Sequence, residues 1–353
     1  MNPSKRTGVT AAGTWIVDYN KIVSQFPNEG ACTSVLDESI DNGGAPYNLL
    51  VDLCRLGATF PLRGIGCLGQ DIDGANILKD CRAHGIDTSQ LSVVPEAATS
   101  FSDVMTSSET GVRTSFNHAG ANALLNEDAF DFRNDTSRIF YLGTLFFLSA
   151  LDARHARHGT KAASVLAAAR KQGLLTCIDI ERTNPRPRRF ETEARAALHE
   201  TDLAIFNVEV AELLTGVRMR YAAGIEMSAV HEAAEKLLEF SGGACAVIRS
   251  PSGALALSKC GLKSTEGSVR IPSYKIQSAA GSGHAFAAGF LYQYHESAPL
   301  ADCLKAGHAA AASCLLHSTT SGGIRPLSTC LQLMKKFGQR DVEHVTINHR
   351  EAA

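Results

Sequence analysis

The sequence predicts an α/β fold in which helices flank a mostly parallel central sheet. The main observation is that apolar runs of strand length alternate with segments of helix length from residue 161 to residue 316, an order typical of parallel sheets. The second observation is size, since 353 residues with 44% hydrophobic and 20% charged content can bury a large core. The third is that the first third of the chain carries shorter strands bounded by polar residues and glycine.

In that first third, residues 13–18 are expected to form the first strand, with Asp18 at its end, and residues 49–56 to form a helix. Residues 35–40 and 101–106 are expected to be short strands. Residues 113–117 are expected to pair with the second of these across a turn that ends at Gly111.

Farther along, an alanine-rich helix over residues 161–170, capped by Gly173, is expected to precede a strand at 177–180. Buried strands are expected at residues 203–207 and 244–249, with a helix at 228–240 between them. Helices at residues 284–296 and 300–316 complete the predicted core. Residues 338–353 are expected to form a polar tail.

Composition argues against several classes of function. The net charge of −2 argues against a general nucleic-acid binder. The ten cysteines include no C-x-x-C pair and the twelve histidines lack metal-ligand spacing, so neither a disulfide framework nor a metal site is expected. No apolar run reaches the ~20 residues of a membrane span, and the N-terminus lacks an apolar signal segment. We therefore expect a cytoplasmic protein without membrane contact.

The most informative segment is Gly281-Ser282-Gly283-His284, which directly precedes an apolar, alanine-rich helix. Small residues let the backbone approach a ligand closely. The first turn of a helix presents N–H groups without intrahelical acceptors, at the positive end of the helix dipole. These four residues are therefore the candidates for a catalytic anion site, where the charge of a transferring phosphoryl group would be stabilised.

The same segment resembles the second signature of the ribokinase/PfkB carbohydrate kinases, D-T-x-G-A-G-D-x-F-x-x-G, through its glycines, Phe286 and Gly289. It departs from that signature at Ser278, Ala279 and His284. His284 stands where the family has its catalytic-base Asp. Further similar segments follow in order from residue 13 to residue 323, so the resemblance covers nearly the whole chain.

The resemblance implies a ribokinase-like fold with one α/β domain over residues 1–337 and a small β lid, whose strands lie near residues 28–42 and 98–118. It implies ATP as the phosphoryl donor, with Mg²⁺, and a small sugar or polyol as the acceptor. Family members often pair through their lids, so the resemblance is compatible with a homodimer.

The sugar-binding side of the family pattern is present. Asp18 matches a hydroxyl-binding carboxylate, and Gly43, Gly44 and Asn48 resemble the first signature, G-G-x-x-x-N. The glycines would let a sugar come close, and the amide offers a donor and an acceptor. Arg186 lies in a segment that loosely resembles D-x-N-x-R of some sugar-acid kinases and is a candidate for holding an anionic sugar group. A basic surface loop is the alternative for that segment.

The nucleotide side matches less well. Val210 stands where the family commonly has a glutamate that helps to organise Mg²⁺ and phosphates. Pro251 stands where the family has a glycine in a loop near the nucleotide, and because proline has no N–H, a backbone contact to phosphate is lost there. Glu209 and Glu212 lie nearby, but an offset of one residue turns a helical side chain by about 100°. The candidates for nucleotide binding are Asn207, Ser250, Gly253 and Gly323.

Two functions follow from these observations, and the sequence leaves both open. The first is an ATP-dependent sugar kinase whose activity is reduced or altered by His284, since a neutral imidazole accepts a proton but an imidazolium does not. The second is a catalytically silent sugar- or nucleotide-binding protein on the same fold. A dinucleotide oxidoreductase is disfavoured because Gly281 and Gly283 lack the G-x-G-x-x-G spacing.

Overall fold

The computed structural model describes residues 6–181, 190–222 and 224–342, and of Phe190 it describes the backbone alone. Its strands, in chain order, are β1 (Val9–Gly13), β2 (Ile16–Val23), β3 (Val35–Gly43), β4 (Leu62–Gly69), β5 (Asp87–Val94), β6 (Ser100–Ser107), β7 (Arg113–His118), β8 (Ile139–Leu145), β9 (Arg154–His155), β10 (Gly159–Thr160), β11 (Leu175–Ile180), β12 (Leu203–Asn207), β13 (Arg220–Tyr221), β14 (Gly224–Ile225), β15 (Cys245–Arg249), β16 (Gly253–Ser258) and β17 (Lys263–Gly267). Its helices are α1 (Ala45–Leu56), α2 (Ile72–Ala83), α3 (Lys161–Lys171), α4 (Phe190–His199), α5 (Val208–Thr215), α6 (Met227–Phe240), α7 (Ser282–His295), α8 (Leu300–Leu315) and α9 (Leu327–Phe337).

A nine-stranded sheet in the order β17-β16-β15-β12-β11-β8-β1-β4-β5 lies at the centre of the molecule. The strands from β15 to β5 in this order pair in parallel, while β16 and β17 continue the sheet antiparallel. Every residue of β1 and β8 is buried, as in sheets covered on both faces. The predicted α/β class with a mostly parallel sheet is confirmed.

Helices cover both faces of this sheet and bury two apolar clusters. On one face α1, α2, α7, α8 and α9 pack around side chains such as Leu50 and Phe290. On the other face α3, α4, α5 and α6 pack around side chains such as Leu166 and Phe206. The alternation of strands and helices along the chain produces these layers, because each crossover between parallel strands places a helix on one face.

A separate four-stranded sheet, which we call the lid, has the order β3-β2-β6-β7. The expected hairpin is present, since β7 pairs antiparallel with β6. The position of Asp18 differs from the expectation, because the first strand of the central sheet ends at Gly13 and Asp18 lies within β2 of the lid. Gly13 has φ +129°, and a Cβ there would lie 1.5 Å from the Gly143 carbonyl oxygen. The chain therefore leaves the central sheet at this glycine.

The beginning of the predicted polar tail is bound to the rest of the protein. Gly338 accepts a hydrogen bond from the Arg270 N–H at 3.0 Å, and the Arg340 N–H donates to the Ser268 carbonyl at 2.8 Å. The fold therefore extends at least to residue 340, because these backbone bonds continue the pairing beside β17. Residues 343–353 lie outside the described residues.

The ten cysteines are free thiols, most of them buried. Within the three described ranges, no helix combines the length and the apolar character that crossing a membrane would need.

Candidate functional site

A tight glycine-rich turn precedes α7. Gly281 is the N-cap residue with φ +77°, and a Cβ on it would lie 2.5 Å from the Thr320 carbonyl oxygen. A Cβ on Gly283 would lie 2.4 Å from Nη2 of Arg249. Among the described residues no side chain caps this helix. The Ser282 N–H donates to the Ala279 carbonyl at 3.3 Å, so the first-turn N–H groups that stay available to an anion are those of Gly283 and His284.

A second pair of glycines, Gly43 and Gly44, lies between the lid and α1, and Gly43 lies against Asp18. A Cβ on Gly43 would lie 2.5 Å from Oδ2 of Asp18, so the carboxylate rests directly on the glycine backbone. Gly44 has φ +97°, and a Cβ on it would lie 2.0 Å from the Thr14 carbonyl oxygen. Both positions therefore need glycine, and together they bring backbone and carboxylate to one surface.

The two glycine-rich segments meet through Asn48 and His284. Nδ2 of Asn48 lies 3.4 Å from Nδ1 of His284. Oδ1 of the same amide accepts a hydrogen bond from the Thr320 hydroxyl at 3.0 Å. The turn before α7 thus lies beside Asp18, Gly43 and Asn48, and we call these three residues the polyol pocket after the role predicted for them from the sequence. The roles assigned to these residues stay predictions.

Asp18 has an unusual ionisation. Burial raises the pKa of Asp18 to about 6, with Asp41 and Glu181 acting in the same direction against the opposing charges of Arg113 and His284. The carboxylate is therefore fully ionised only above about pH 7. An ionised carboxylate is the form that accepts two hydroxyl hydrogen bonds.

His284 lies beside a carboxylate that is not among the site residues predicted from the sequence. Nε2 of His284 is 3.6 Å from Oδ2 of Asp179, and each side chain is 24% exposed. Burial alone would lower the pKa of His284, but Asp179, Glu181 and Asp52 outweigh it and raise that pKa above its ordinary value. Burial favours a neutral Asp179, yet His284 and Arg249 hold the pKa of Asp179 below its usual range.

A buried carboxyl lies behind this site. Asp52 follows Asn48 by one turn of α1 and is 0% exposed. Neither of its carboxyl oxygens has a hydrogen-bond partner among the described residues. Burial raises the pKa of Asp52 to about 7, against weaker opposing effects of Ser321 and His284. About half of the Asp52 side chains are therefore protonated near pH 7, because burying a carboxylate charge is costly in the interior.

Sequence reasoning expected a strand at residues 177–180, which contains Asp179, without assigning this residue a role, although it lies at the carboxyl edge where α/β proteins bind ligands. It missed Arg249 and Thr320, which lie against the glycines of the turn before α7, and Asp52, whose charge acts on His284. The guanidinium of Arg249 lies on Gly283 because β15 ends next to the first turn of α7. No local pattern marks these residues, and only their position in the fold brings them to the site.

The nucleotide-side candidates are not all brought together. Asn207 caps α5, with its Oδ1 accepting from the Val210 N–H at 2.8 Å. Ser250 and Gly253 line one small cavity beside Val208. Gly323 lies elsewhere, packed so closely against α8 that a Cβ would be 2.3 Å from the Ser313 carbonyl oxygen.

The residues at the family's Mg²⁺ position do not suit a metal ion. Val210 is 1% exposed and has no ligand atom. Glu209 and Glu212 both bind Arg220, at 2.6 Å and 2.7 Å. Within the described parts of the chain, no three His, Cys, Asp or Glu side chains are arranged to hold a metal ion.

Arg186, the candidate for an anionic sugar group, lies outside the described residues.

Comparison with known proteins bears on the family. Residues 7–326 match the model of the pfkB family carbohydrate kinases. The fold is similar to a ribokinase of Arabidopsis thaliana solved with ribose and ATP (TM-score 0.76, 19% identity, 94% of this chain and 99% of that one). It is also similar to a nucleoside kinase of Methanocaldococcus jannaschii (0.73, 17%, 94% and 99%).

A ribokinase of Thermotoga maritima is a third such structure (TM-score 0.72, 19% identity, 93% of this chain and 99% of that one). The search of curated proteins found no match. The structural similarities establish the ribokinase-like fold, and the family model covers most of the chain. The protein belongs to the pfkB family of carbohydrate kinases.

Proposed function

We propose that the protein transfers the γ-phosphoryl group of ATP to a hydroxyl of a small sugar or polyol. The observation that carries this proposal is the 3.4 Å contact between Asn48 and His284, which joins the polyol pocket to the anion site before α7. Phosphoryl transfer depends mainly on positioning and on stabilisation of charge, and both elements are present at this junction.

In this proposal Asp18 and Asn48 bind the hydroxyls of the acceptor, and the N–H groups of Gly283 and His284 stabilise the transferring group. Arg249 adds a positive charge against Gly283. His284 stands at the position of the proton acceptor. Ser250 and Gly253 are the parts of the proposed nucleotide site that share a cavity.

ATP consumption with a panel of pentoses, hexoses, sugar acids and nucleosides tests the proposal, with Mg²⁺ in the buffer. The wild type is expected to turn over at least one acceptor. His284→Asp, which restores the carboxylate of the family signature, is expected to use the same acceptor at a rate at least equal to that of the wild type. Phosphate on the sugar, measured by mass spectrometry, is the readout that excludes simple ATP hydrolysis.

A catalytically silent sugar- or nucleotide-binding protein is the second candidate function. Two observations favour it. Val210 is buried and has no carboxylate, and Glu209 and Glu212 both bind Arg220. The glutamate that the family commonly has beside the phosphates therefore has no counterpart here. Activity that appears only in His284→Asp would support this candidate. Sugar binding without turnover in either protein would support it further.

We also propose that the protein forms a homodimer through its lid and works in the cytoplasm. Ile40 is 67% exposed and Phe116 is 55% exposed. The register pairs Asp18 with Asp41 and with Ser102, and it pairs Ser102 with Asn117, so these four residues share one face of the lid. Ile40 precedes Asp41 and Phe116 precedes Asn117. Because neighbouring residues of a strand point to opposite faces, Ile40 and Phe116 lie on the face opposite Asp18. Exposed apolar side chains on one sheet face are typical of an interface.

Light scattering after gel filtration is expected to give a dimer for the wild type and a monomer for the double variant Ile40→Glu, Phe116→Glu. The charges would be buried without partners in the interface. Ile72→Glu, at a 72% exposed position outside the lid, is the control and should stay dimeric. A monomeric wild type would contradict the proposal.

A further inference from the structure

The imidazole of His284 is held between two side chains from different parts of the fold. Its Nε2 faces Oδ2 of Asp179 at 3.6 Å, and its Nδ1 faces Nδ2 of Asn48 at 3.4 Å. Asp179 lies near the end of β11 and Asn48 lies in α1. The two ring nitrogens therefore have different environments, which is the condition for one preferred tautomer.

Asn48 determines which nitrogen lacks a proton. Its Oδ1 accepts the Thr320 hydroxyl at 3.0 Å, which turns its Nδ2 toward the ring. An amide nitrogen only donates hydrogen bonds, so Nδ1 of His284 must be the acceptor. The proton of the neutral ring then resides on Nε2, facing the carboxylate of Asp179.

Asp179 is itself held in place. The Thr144 hydroxyl donates to its Oδ2 at 3.2 Å. A Cβ on Gly143 would lie 2.9 Å from Cβ of Asp179, so β8 packs closely beside it. The carboxylate is therefore a fixed and charged partner for the ring. Its separation of 3.6 Å from Nε2 is slightly beyond a hydrogen bond, a length common in catalytic pairs before substrate binds.

We propose that Asp179 is a positioning residue that keeps the proton of neutral His284 on Nε2. Nδ1, which accepts from Asn48 in the free protein, then becomes the base once an acceptor hydroxyl takes the place of the Asn48 amide on that lone pair. The inference rests on the proposed kinase function. In the step, the acceptor O–H bond breaks, its proton goes to Nδ1, and its oxygen bonds to the γ-phosphorus. The bond from that phosphorus to the bridging oxygen breaks, and ADP leaves with the electron pair.

The charge that forms on the ring is stabilised by its surroundings. Acidic side chains from three parts of the fold act on it, namely Asp179 and Glu181 at the end of β11, Asp52 in α1 and Asp18 in the lid. Asp52 contributes only in its ionised form. Together with burial they leave the pKa of His284 above its ordinary value. The turnover rate is therefore expected to rise with pH and to level off above that pKa, because only the neutral ring accepts a proton.

NMR of protein with nitrogen-labelled histidine tests the inference without turnover, and His284→Ala assigns the signal. The neutral ring of the wild type is expected to carry its proton on Nε2. Asp179→Asn is expected to lower the pKa of His284 and to mix its tautomers. Glu181→Gln is the matched control: it also removes a nearby negative charge, so the pKa falls, but the Nε2-protonated tautomer remains.

Kinetics provide the second readout. Asp179→Asn is expected to lower kcat by up to about 10²–10⁴-fold, the whole contribution of a general base, with little change in KM. A wild-type ring protonated on Nδ1, or an unchanged tautomer and pKa in Asp179→Asn, would overturn the inference. Absence of turnover in the wild type would instead remove the base role together with the proposed function, while NMR still decides whether Asp179 orients the ring.

Discussion

Replacing His284 by alanine is expected to lower kcat by about 10²–10⁴-fold, the usual contribution of general acid–base catalysis, and to leave the sugar Kd nearly unchanged. The reason is that the acceptor hydroxyls are proposed to contact Asp18 and Asn48, which the substitution leaves in place. Steady-state kinetics with the best acceptor from the panel measures the first effect, and calorimetric titration with the same sugar measures the second.

The matched control is His199→Ala, since His199 is 76% exposed at the end of α4. It is expected to keep both the turnover rate and the sugar affinity. Full activity in His284→Ala would contradict the role of the imidazole as base. Transfer would then depend on the backbone N–H groups and on positioning alone.

Asp52→Asn is expected to raise the free energy of unfolding by up to about 4 kcal/mol near pH 8. The pKa of Asp52 is about 7 in the folded protein against an ordinary value of 3.8, and each pKa unit corresponds to about 1.4 kcal/mol. Burial raises the pKa of Asp52 in the folded state, so the folded protein holds this proton to higher pH than the unfolded chain does. Stability is therefore lost as the pH rises from about 4 to about 7, and the loss is constant above that. Asparagine does not titrate and removes this loss.

Urea unfolding of both proteins near pH 5 and near pH 8 measures the effect, and the difference between them should be larger at the higher pH. Asp135→Asn is the matched control, because Asp135 is also buried but accepts hydrogen bonds from the Thr10 hydroxyl at 2.7 Å and the Ser137 N–H at 2.8 Å. It should be destabilising at both pH values. An unchanged pH dependence in Asp52→Asn would refute the assigned ionisation.

Much of the fold and part of the site follow from local sequence. The alternation of strands and helices predicts a parallel sheet, because each helix buries its apolar side against the sheet while the chain crosses from one strand to the next. Gly281 and Gly44 stand in glycine-rich segments that the sequence alone marks as candidate sites. In the structure their positive φ and close neighbours exclude other residues at both positions. Asp18 was expected at the end of the first strand, and the structure places it in the lid instead, because the chain leaves the central sheet at Gly13.

The sequence by itself determined the layered α/β architecture and the two glycine-rich segments, since hydrophobic periodicity and backbone requirements are properties of neighbouring residues. Only the tertiary structure decided what surrounds His284. Asn48 comes from 236 positions earlier in the chain, and Asp179 comes from a different strand. Protonation and tautomer depend on charges and donors within a few ångströms, and the packing of distant elements places those groups.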